Sequence, residues 1–319
     1  MIKDDIFMFS DINADNIDRI SKKQSMLEEQ RICELSELAD DAVAYALSMR
    51  DEGYGIYEVL SLLAEAFSIS AEKTHAVTLD ENFESLVSYL KIISAYDKIV
   101  FTKLFVDKIK EKGFLIYEID FLPVGEGNQI FTYVKNPLAD EAYDVFSQDF
   151  AHPRLKYSQS LADAVKAVSN GEFEYALLPF EERGGARLAS VASLVFREDL
   201  KINSVTPVFG YEGNADMKYA LVSKHFSVPD FESEDDRYLE IRLRADSSIL
   251  LSELFTAANA LGCSLYRVNT YSFDTEDGPL QYYSIVFRGD EIKDFSRFLV
   301  YLTLFSGSYT PVGVYKNLE

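Results

Sequence analysis

The sequence predicts an α+β multidomain protein: a helical unit, then an α/β unit, then a small ferredoxin-like unit. Three observations predict it. Apolar residues recur at helical spacing, without strand alternation, up to about Lys112; short apolar runs alternate with helical stretches from Gln129 to Pro179; and the last part of the chain reads strand, helix, strand, strand, helix, strand. The expected domains are residues 1–113, 114–230 and 237–319.

In the first unit, Leu27, Arg31, Leu35, Leu38, Ala42, Tyr45 and Met49 step by fours and threes along one stripe of a long helix. A second helix follows the turn at residues 53–55 and carries Ile56, Val59, Leu63 and Ala66 or Phe67 on one face. A third runs from about Asn82, with Phe83, Leu86, Leu90, Ile93, Val100 and Leu104. Arg31 stands on the apolar stripe, where an unpaired charge is costly. An ion pair with Glu58, or a guanidinium reaching the rim, accounts for it.

In the second unit, FLIYEIDFL (residues 114–122) alternates as a half-buried strand does, and PVGEGNQ turns the chain into IFTYV. The GEG fragment lies between two expected strands with no helix after it, which makes it a hairpin turn and not a dinucleotide loop. From Gln129 the pattern is βαβαβ: IFTYV, a helix opened by Asn136 and Pro137, RLKYS, a second helix, and EYALLP. Ser160 and Asp163 start the second helix as a capping box, and Asn170 with Gly171 ends it. Such crossovers imply a parallel sheet, whose ligands sit beyond the carboxyl ends of the strands, here Asn136, Ser158 with Gln159, and Pro179 to Glu181. One more helix, a strand around LKINSV and a turn lead to NADMKYALVS (residues 214–223), with Met217 at the mouth of a strand as a gap-filling thioether.

The acidic run FESEDDR (residues 231–237) reads as a solvated linker. YLEIRLR, a helix from about Ser248 to Leu261, CSLYRVNTYSF, QYYSIVF, a helix from Glu291 to about Phe305, and YTPVGVY complete the third unit.

The totals narrow the function classes. A net charge of -22, from 53 acidic against 31 basic residues, repels phosphate backbones and anionic membranes, so neither nucleic acid nor membrane is an expected partner. Cys33 and Cys263 offer neither a disulfide framework nor a metal spacing and suit a reducing cytosol. The opening MIKDDIFMFSDINADN lacks the basic region and apolar core of a signal peptide, and a cytoplasmic location is expected. His75, His152 and His225 have no partner spacing for a metal or a triad; no metal and no cofactor are expected.

The order of units, with three local stretches, resembles the bifunctional chorismate mutase/prephenate dehydratase family with its ACT domain. SLADAVKAVSNGEFEYALLPFEE resembles the dehydratase stretch leading to Pro-Ile-Glu-Asn-Ser, with Pro179 and Glu181 fitting and Glu182 and Arg183 replacing Asn and Ser. FREDLKI resembles the segment entering the family's second lobe, and GSYTPVGVY the close of the ACT domain, with Gly307, Ser308 and Tyr309 kept. The resemblance implies a chorismate mutase-like helical unit, a central periplasmic-binding-like dehydratase lobe and a C-terminal ACT-like regulatory domain. Arg31 and Glu58 fit the family's mutase residues, but Ala42, Tyr57 and Val100 stand where its Lys, Arg and Gln are expected. Met217, Lys218 and Tyr219 replace Thr, Arg and Phe, and a thioether has no proton to offer. VKNPLAD replaces the family's Gly-Pro loop, and the span from Pro179 to Tyr219 omits most of a second lobe. SIL (residues 248–250) and NTYS (residues 269–272) replace the effector motifs.

The resemblance therefore implies a relative of the phenylalanine-biosynthesis enzymes that keeps the scaffold for small-ligand binding or regulation and not the chemistry. Two alternatives stand beside it: a working dehydratase or mutase with relocated residues, using Lys218, Tyr219, Glu181 or Ser223, or a structural oligomeric scaffold. The ligand-binding candidates are Arg31, Glu58, Asn136, Glu181 and Lys218, for an aromatic or carboxylate small molecule; the effector-binding candidates are Ile249, Asn269 and Thr270. A homodimer is expected, because the first-helix stripe and the helix SRFLVYLTLF both carry apolar surface that one domain cannot cover.

Overall fold

The computed structural model describes residues 2–69, 94–122, 124–125, 129–182, 184–210, 217–226, 237–246, 250–275, 278–289, 295–306 and 309–316. It divides into two compact units, Met1–Ile116 and Tyr117–Glu319.

The first unit is helical, as its spacing predicts. A long helix α1 (Ile2–Asp51) packs against α2 (Ile56–Ile69) and α3 (Ala95–Glu111). Its buried stripe is shorter than expected and runs from Leu35 through Ala39, Ala42 and Val43 to Ala46, while Leu27 is exposed. Small alanines on that stripe let the facing Val59, Leu60, Phe101 and Phe105 come in close enough to be fully covered. Gly53 ends α1 at φ +99, a conformation that a Cβ disfavours. The α3 helix starts at a capping box between Ser94 and Asp97. The expected start at Asn82, with Phe83, Leu86, Leu90 and Ile93, and the side chains of Ala66 and Phe67, lie outside the described residues.

The expected Arg31–Glu58 pair is corrected. Arg31 pairs with Asp97 and donates to Ser94 Oγ at 3.1 Å, while Glu58 accepts from the backbone N–H of Gly55 at 3.0 Å. The reason is local. Glu58 lies in the first turn of α2, whose free N–H groups and positive dipole end take a carboxylate. Asp97, with a side chain only 3% exposed, is the group that needs a cation.

The second unit is mixed α/β and is built on one nine-stranded sheet. In chain order its elements are β1 (Ile130–Val134), α4 (Pro137–Phe146), β2 (Arg154–Ser158), α5 (Leu161–Ser169), β3 (Tyr175–Glu182), α6 (Ala189–Arg197), β4 (Lys201–Val208), β5 (Met217–Ser223), β6 (Arg237–Arg244), α7 (Leu251–Ala260), β7 (Cys263–Thr275), β8 (Gly278–Gly289), α8 (Ser296–Phe305) and β9 (Tyr309–Lys316). The spatial order is β2-β1-β3-β5-β4-β9-β6-β8-β7. β1, β2 and β3 are parallel, as the crossovers require, and their helices start and stop at the expected residues: Asn136 caps α4, Ser160 caps α5, and Gly171 follows α5 at φ +77. β5 lies antiparallel between β3 and β4.

The strand expected at residues 114–122 is also corrected. Glu118–Phe121 form a single 3-10 turn; of the alternating set Leu115, Tyr117, Ile119 and Phe121, only Phe121 is buried and the other three are exposed. Glu118 decides this: its buried carboxylate accepts from Arg237 and from the backbone N–H of Phe295 at 2.7 Å, which pins the turn near the start of α8. The expected hairpin lacks its first strand; Glu126 and Gly127 of the GEG fragment lie outside the described residues, and Val124 makes one parallel bridge to Phe226.

The βαββαβ order of the C-terminal part is present, with β9-β6-β8-β7 antiparallel throughout. Phe287 of β8 meets Phe298 of α8 at 4.8 Å and Phe255 of α7 at 6.5 Å between ring centroids, so both helices cover the same face. Leu239, Ile241 and Leu243 are buried and alternate along β6 with Glu240 and Arg242, which face the other way. β9 then pairs with β4 in parallel, Ile202 opposite Gly313, and the sheet runs unbroken across the expected boundary at residues 230–237.

Candidate functional site

The expected site lies at the carboxyl ends of β1 and β3 and the start of β5. Asn136 leaves β1 and caps α4: its Oδ1 accepts from Ala139 N at 3.0 Å and from the Tyr219 hydroxyl at 3.3 Å, and its Nδ2 donates to the Val134 carbonyl at 2.9 Å. The sequence thus brings Asn136 and Tyr219 together, but as a capping arrangement whose polar atoms are spent on the backbone. Burial pushes the Tyr219 hydroxyl above its ordinary pKa, only partly opposed by the Asn136 hydrogen bond, so it stays a neutral donor.

Register brings the next pair together. The antiparallel β3–β5 ladder sets Glu181 opposite Lys218 and Glu182 opposite Met217, after a bulge between Pro179 and Glu181. A proline cannot donate to a ladder, and a bulge there re-aims the following side chain. Glu181 is buried and accepts from Arg267 Nη1 at 2.7 Å and from Arg187 Nε at 3.5 Å. Met217 is half-buried and packs on the core formed by Val208, Tyr219 and Leu221. Ser223 is buried too: it accepts from Asn203 Nδ2 at 2.8 Å and donates to the His225 carbonyl.

Arg31 and Glu58 belong to the helical unit and play the pairing and capping parts described above. Ile249 lies outside the described residues, as does Arg183. Asn269 and Thr270 stand on β7, opposite Ser284 and Tyr283; Thr270 is exposed, and Asn269 Nδ2 is buried without a hydrogen-bond partner.

Sequence reasoning missed the densest polar cluster. Arg187, between β3 and α6, donates from Nη1 to Glu240 Oε1 at 2.5 Å and from Nη2 to the Tyr315 hydroxyl at 3.0 Å. The Tyr315 hydroxyl donates to Glu240 Oε2 at 3.1 Å, and Ser284 Oγ donates to Glu240 Oε1 at 2.6 Å. The side chains of Arg187 and Glu240 are 5% and 3% exposed, and the guanidinium lies over the Phe180 ring, 4.1 Å from its centroid. Burial pushes the Glu240 carboxyl upward, but Arg187, Ser284 and Tyr315 together outweigh it and hold the group below its ordinary value. The Tyr315 hydroxyl is driven well up, first by burial and then by the Glu240 charge. Arg187 and Glu240 are therefore a charged, paired couple that stores no transferable proton near neutrality.

Among the described residues no group of three or more His, Cys, Asp or Glu is placed to hold a metal ion, and no helix is long and apolar enough to cross a membrane.

No family model matches this chain, and no curated protein does. Solved structures do. A prephenate dehydratase from Streptococcus mutans is 14% identical, with a TM-score of 0.46 over 60% of this chain and 100% of that one. GqqA, described as a novel type of quorum quenching acylase, is 20% identical, with a TM-score of 0.43 over 60% of this chain and 96% of its own. A prephenate dehydratase from Arthrobacter aurescens in complex with L-Phe is 12% identical, with a TM-score of 0.42 over 58% of this chain and 89% of that one.

Proposed function

We propose that the Tyr117–Glu319 unit is a prephenate dehydratase-like scaffold that holds a small ligand without turning prephenate over, its C-terminal βαββαβ half acting as an ACT-like regulatory part. The supporting observation is the state of Glu181. The one carboxylate that fits the family's motif is buried and engaged by two guanidiniums of its own chain, Arg267 at 2.7 Å and Arg187 at 3.5 Å, an ion-paired structural part and not a group left open toward a ligand. Met217, where the resemblance places a hydroxyl, packs on the core and has no proton to offer.

Purified protein incubated with prephenate should form no phenylpyruvate above the spontaneous rate, and chorismate should not be rearranged faster than in buffer. Phenylpyruvate formed at an enzyme-like rate, and abolished by Lys218→Ala or Tyr219→Phe, would overturn the reading and restore a dehydratase with relocated residues.

The helical unit is proposed as the oligomerisation part. Ile17, Ile20, Met26, Leu27 and Ile32 stay exposed along α1, an apolar surface that a second copy could cover. Light scattering at micromolar concentration should give twice the chain mass; the single-chain mass would remove the proposal.

A further inference from the structure

The face of β6 and β8 turned away from α7 and α8 is covered along its middle, where Glu240 and Ser284 are buried. It forms the floor of a cleft whose other walls come from α6, β4 and β9, with Phe196, Ile202, Arg242, Tyr282, Ser284 and Val312 among its lining residues. Arg187 and Glu240 of the polar network stand in its lining, and Phe180 of β3 joins them.

Charge is unbalanced there. The network and the cleft together hold three guanidiniums, Arg187, Arg242 and Arg267, against two carboxylates, Glu181 and Glu240, a surplus of one positive charge. Glu181 is shared by Arg187 and Arg267, and Glu240 is taken by Arg187, Tyr315 and Ser284. Arg242 is half-buried and lies over the Phe196 ring at 4.2 Å, and among the described residues it has no ion pair or hydrogen bond. Asp199 and Glu240, whose fields reach Arg242, are themselves paired, Asp199 with Lys201 at 2.8 Å and Glu240 with Arg187. Burial presses the Arg242 guanidinium toward its neutral form, the signature of a cation short of compensation.

A half-buried cation without a partner costs stability, and a chain with 53 acidic residues had ample means to supply one. Register adds a second unmet donor on the same face: Arg242 stands opposite Ser284, and Ser284 opposite Asn269, whose Nδ2 is buried without an acceptor. We propose that this cleft is a binding site for a small monocarboxylic acid, its carboxylate on Arg242 and its apolar body against Phe196 and Tyr282.

Size and charge set that class. The cleft offers about 30 Å³ to a water-sized body, enough for a carboxylate head but not for a large anion without side-chain movement. One surplus charge balances a monoanion, and a dianion would meet the ionised Glu240. A guanidinium offers the planar two-point match that a carboxylate takes. The Phe196 and Tyr282 rings, 4.9 Å apart, give the acid's body an apolar surface. This assignment rests on the cleft alone and is independent of whether the chain acts on prephenate.

The test uses the full chain with benzoate, acetate and inorganic phosphate at constant ionic strength, read by thermal shift and calorimetry. Benzoate or acetate should raise the melting temperature saturably and phosphate should not. Arg242→Met should weaken binding by about tenfold or more, the loss of a charged hydrogen-bond pair. Without acid it should melt no lower than the parent, because a thioether can lie over Phe196 without an unpaired charge. Arg242→Lys keeps the charge and should bind between the two. Arg244→Met, which removes an exposed arginine bonded to Asp246 at 2.7 Å on the same strand, should bind within about twofold of the parent. No saturable shift with either acid, phosphate binding tighter than benzoate, unchanged binding in Arg242→Met, or an acid-free Arg242→Met or Arg242→Lys protein that is unfolded or markedly less stable would each overturn the site.

Discussion

Replacing Arg187 with alanine should destabilise the Tyr117–Glu319 unit by about 3–5 kcal/mol, the cost of leaving a buried carboxylate without its cation. Glu240 is the group left behind, at 3% exposure, with Ser284 and Tyr315 as its remaining partners. Glu181 suffers less, because Arg267 still holds it at 2.7 Å. The loss should depend on pH with a definite sign. In the parent the folded Glu240 titrates below its ordinary value of 4.5, so its stabilisation is complete above about 4.5 and fades as pH falls through the folded value. In the variant the burial remains and the cation is gone, which raises the folded value; the penalty then grows as pH rises from about 4.5. Parent and variant should therefore differ most near about pH 7 and draw together in urea titrations as pH falls through the parent's depressed folded value. Pairing Arg187→Met with Glu240→Leu should recover most of the loss, since replacing both ends of a buried pair by apolar groups is often close to neutral. A single variant within about 1 kcal/mol of the parent at neutral pH, or a gap that widens on acidification, would refute the account.

What the sequence made legible was local. The capping signals at Asn136, Ser160, Asn170 and Gly171 each act within one turn, and all four sit where the helices of the α/β part begin and end. The βαββαβ order of the last strands was readable for the same reason. The failures are non-local. FLIYEIDFL alternates well enough for a strand, but Glu118 is captured by Arg237 and Phe295 from more than a hundred residues away, and no pattern within the segment announces that. YLEIRLR reads only as the first strand of its unit, with no role for its charged positions, whereas Glu240 and Arg242 face a cleft walled by α6 and β4. Glu181 was found from its motif, but its partners Arg187 and Arg267 were not, because a bulge in β3 and the distant β7 bring them there. A charged residue alternating with buried ones carries the same signal whether water or another element covers it.

The seam between β4 and β9 carries the largest remaining effect. A Cβ at position 313 would lie 2.7 Å from the Ile202 carbonyl oxygen and 2.9 Å from both Ile202 Cβ and Tyr315 Cδ1. The first of these contacts is backbone and cannot turn aside, so Gly313→Ala must push β9 away from β4. The overpacking alone costs about 1–3 kcal/mol. Displacing β9 also moves Tyr315, whose hydroxyl bonds both Arg187 and Glu240, so the two losses compound. Ile202 and Val312 line the Arg242 cleft from either side of this seam, and prising it open should weaken the acid site as well. Unfolding of the Tyr117–Glu319 unit in the parent should be a single transition, since the sheet and the Arg187 network both cross the seam. In Gly313→Ala it should separate into two, with amide exchange quickening first along β4 and β9 and last in the β7–β8 ladder, which keeps all its pairing. A Gly313→Ala protein that melts in one transition within about 0.5 kcal/mol of the parent, and still binds benzoate as tightly, would show that the two halves of the sheet do not depend on their seam.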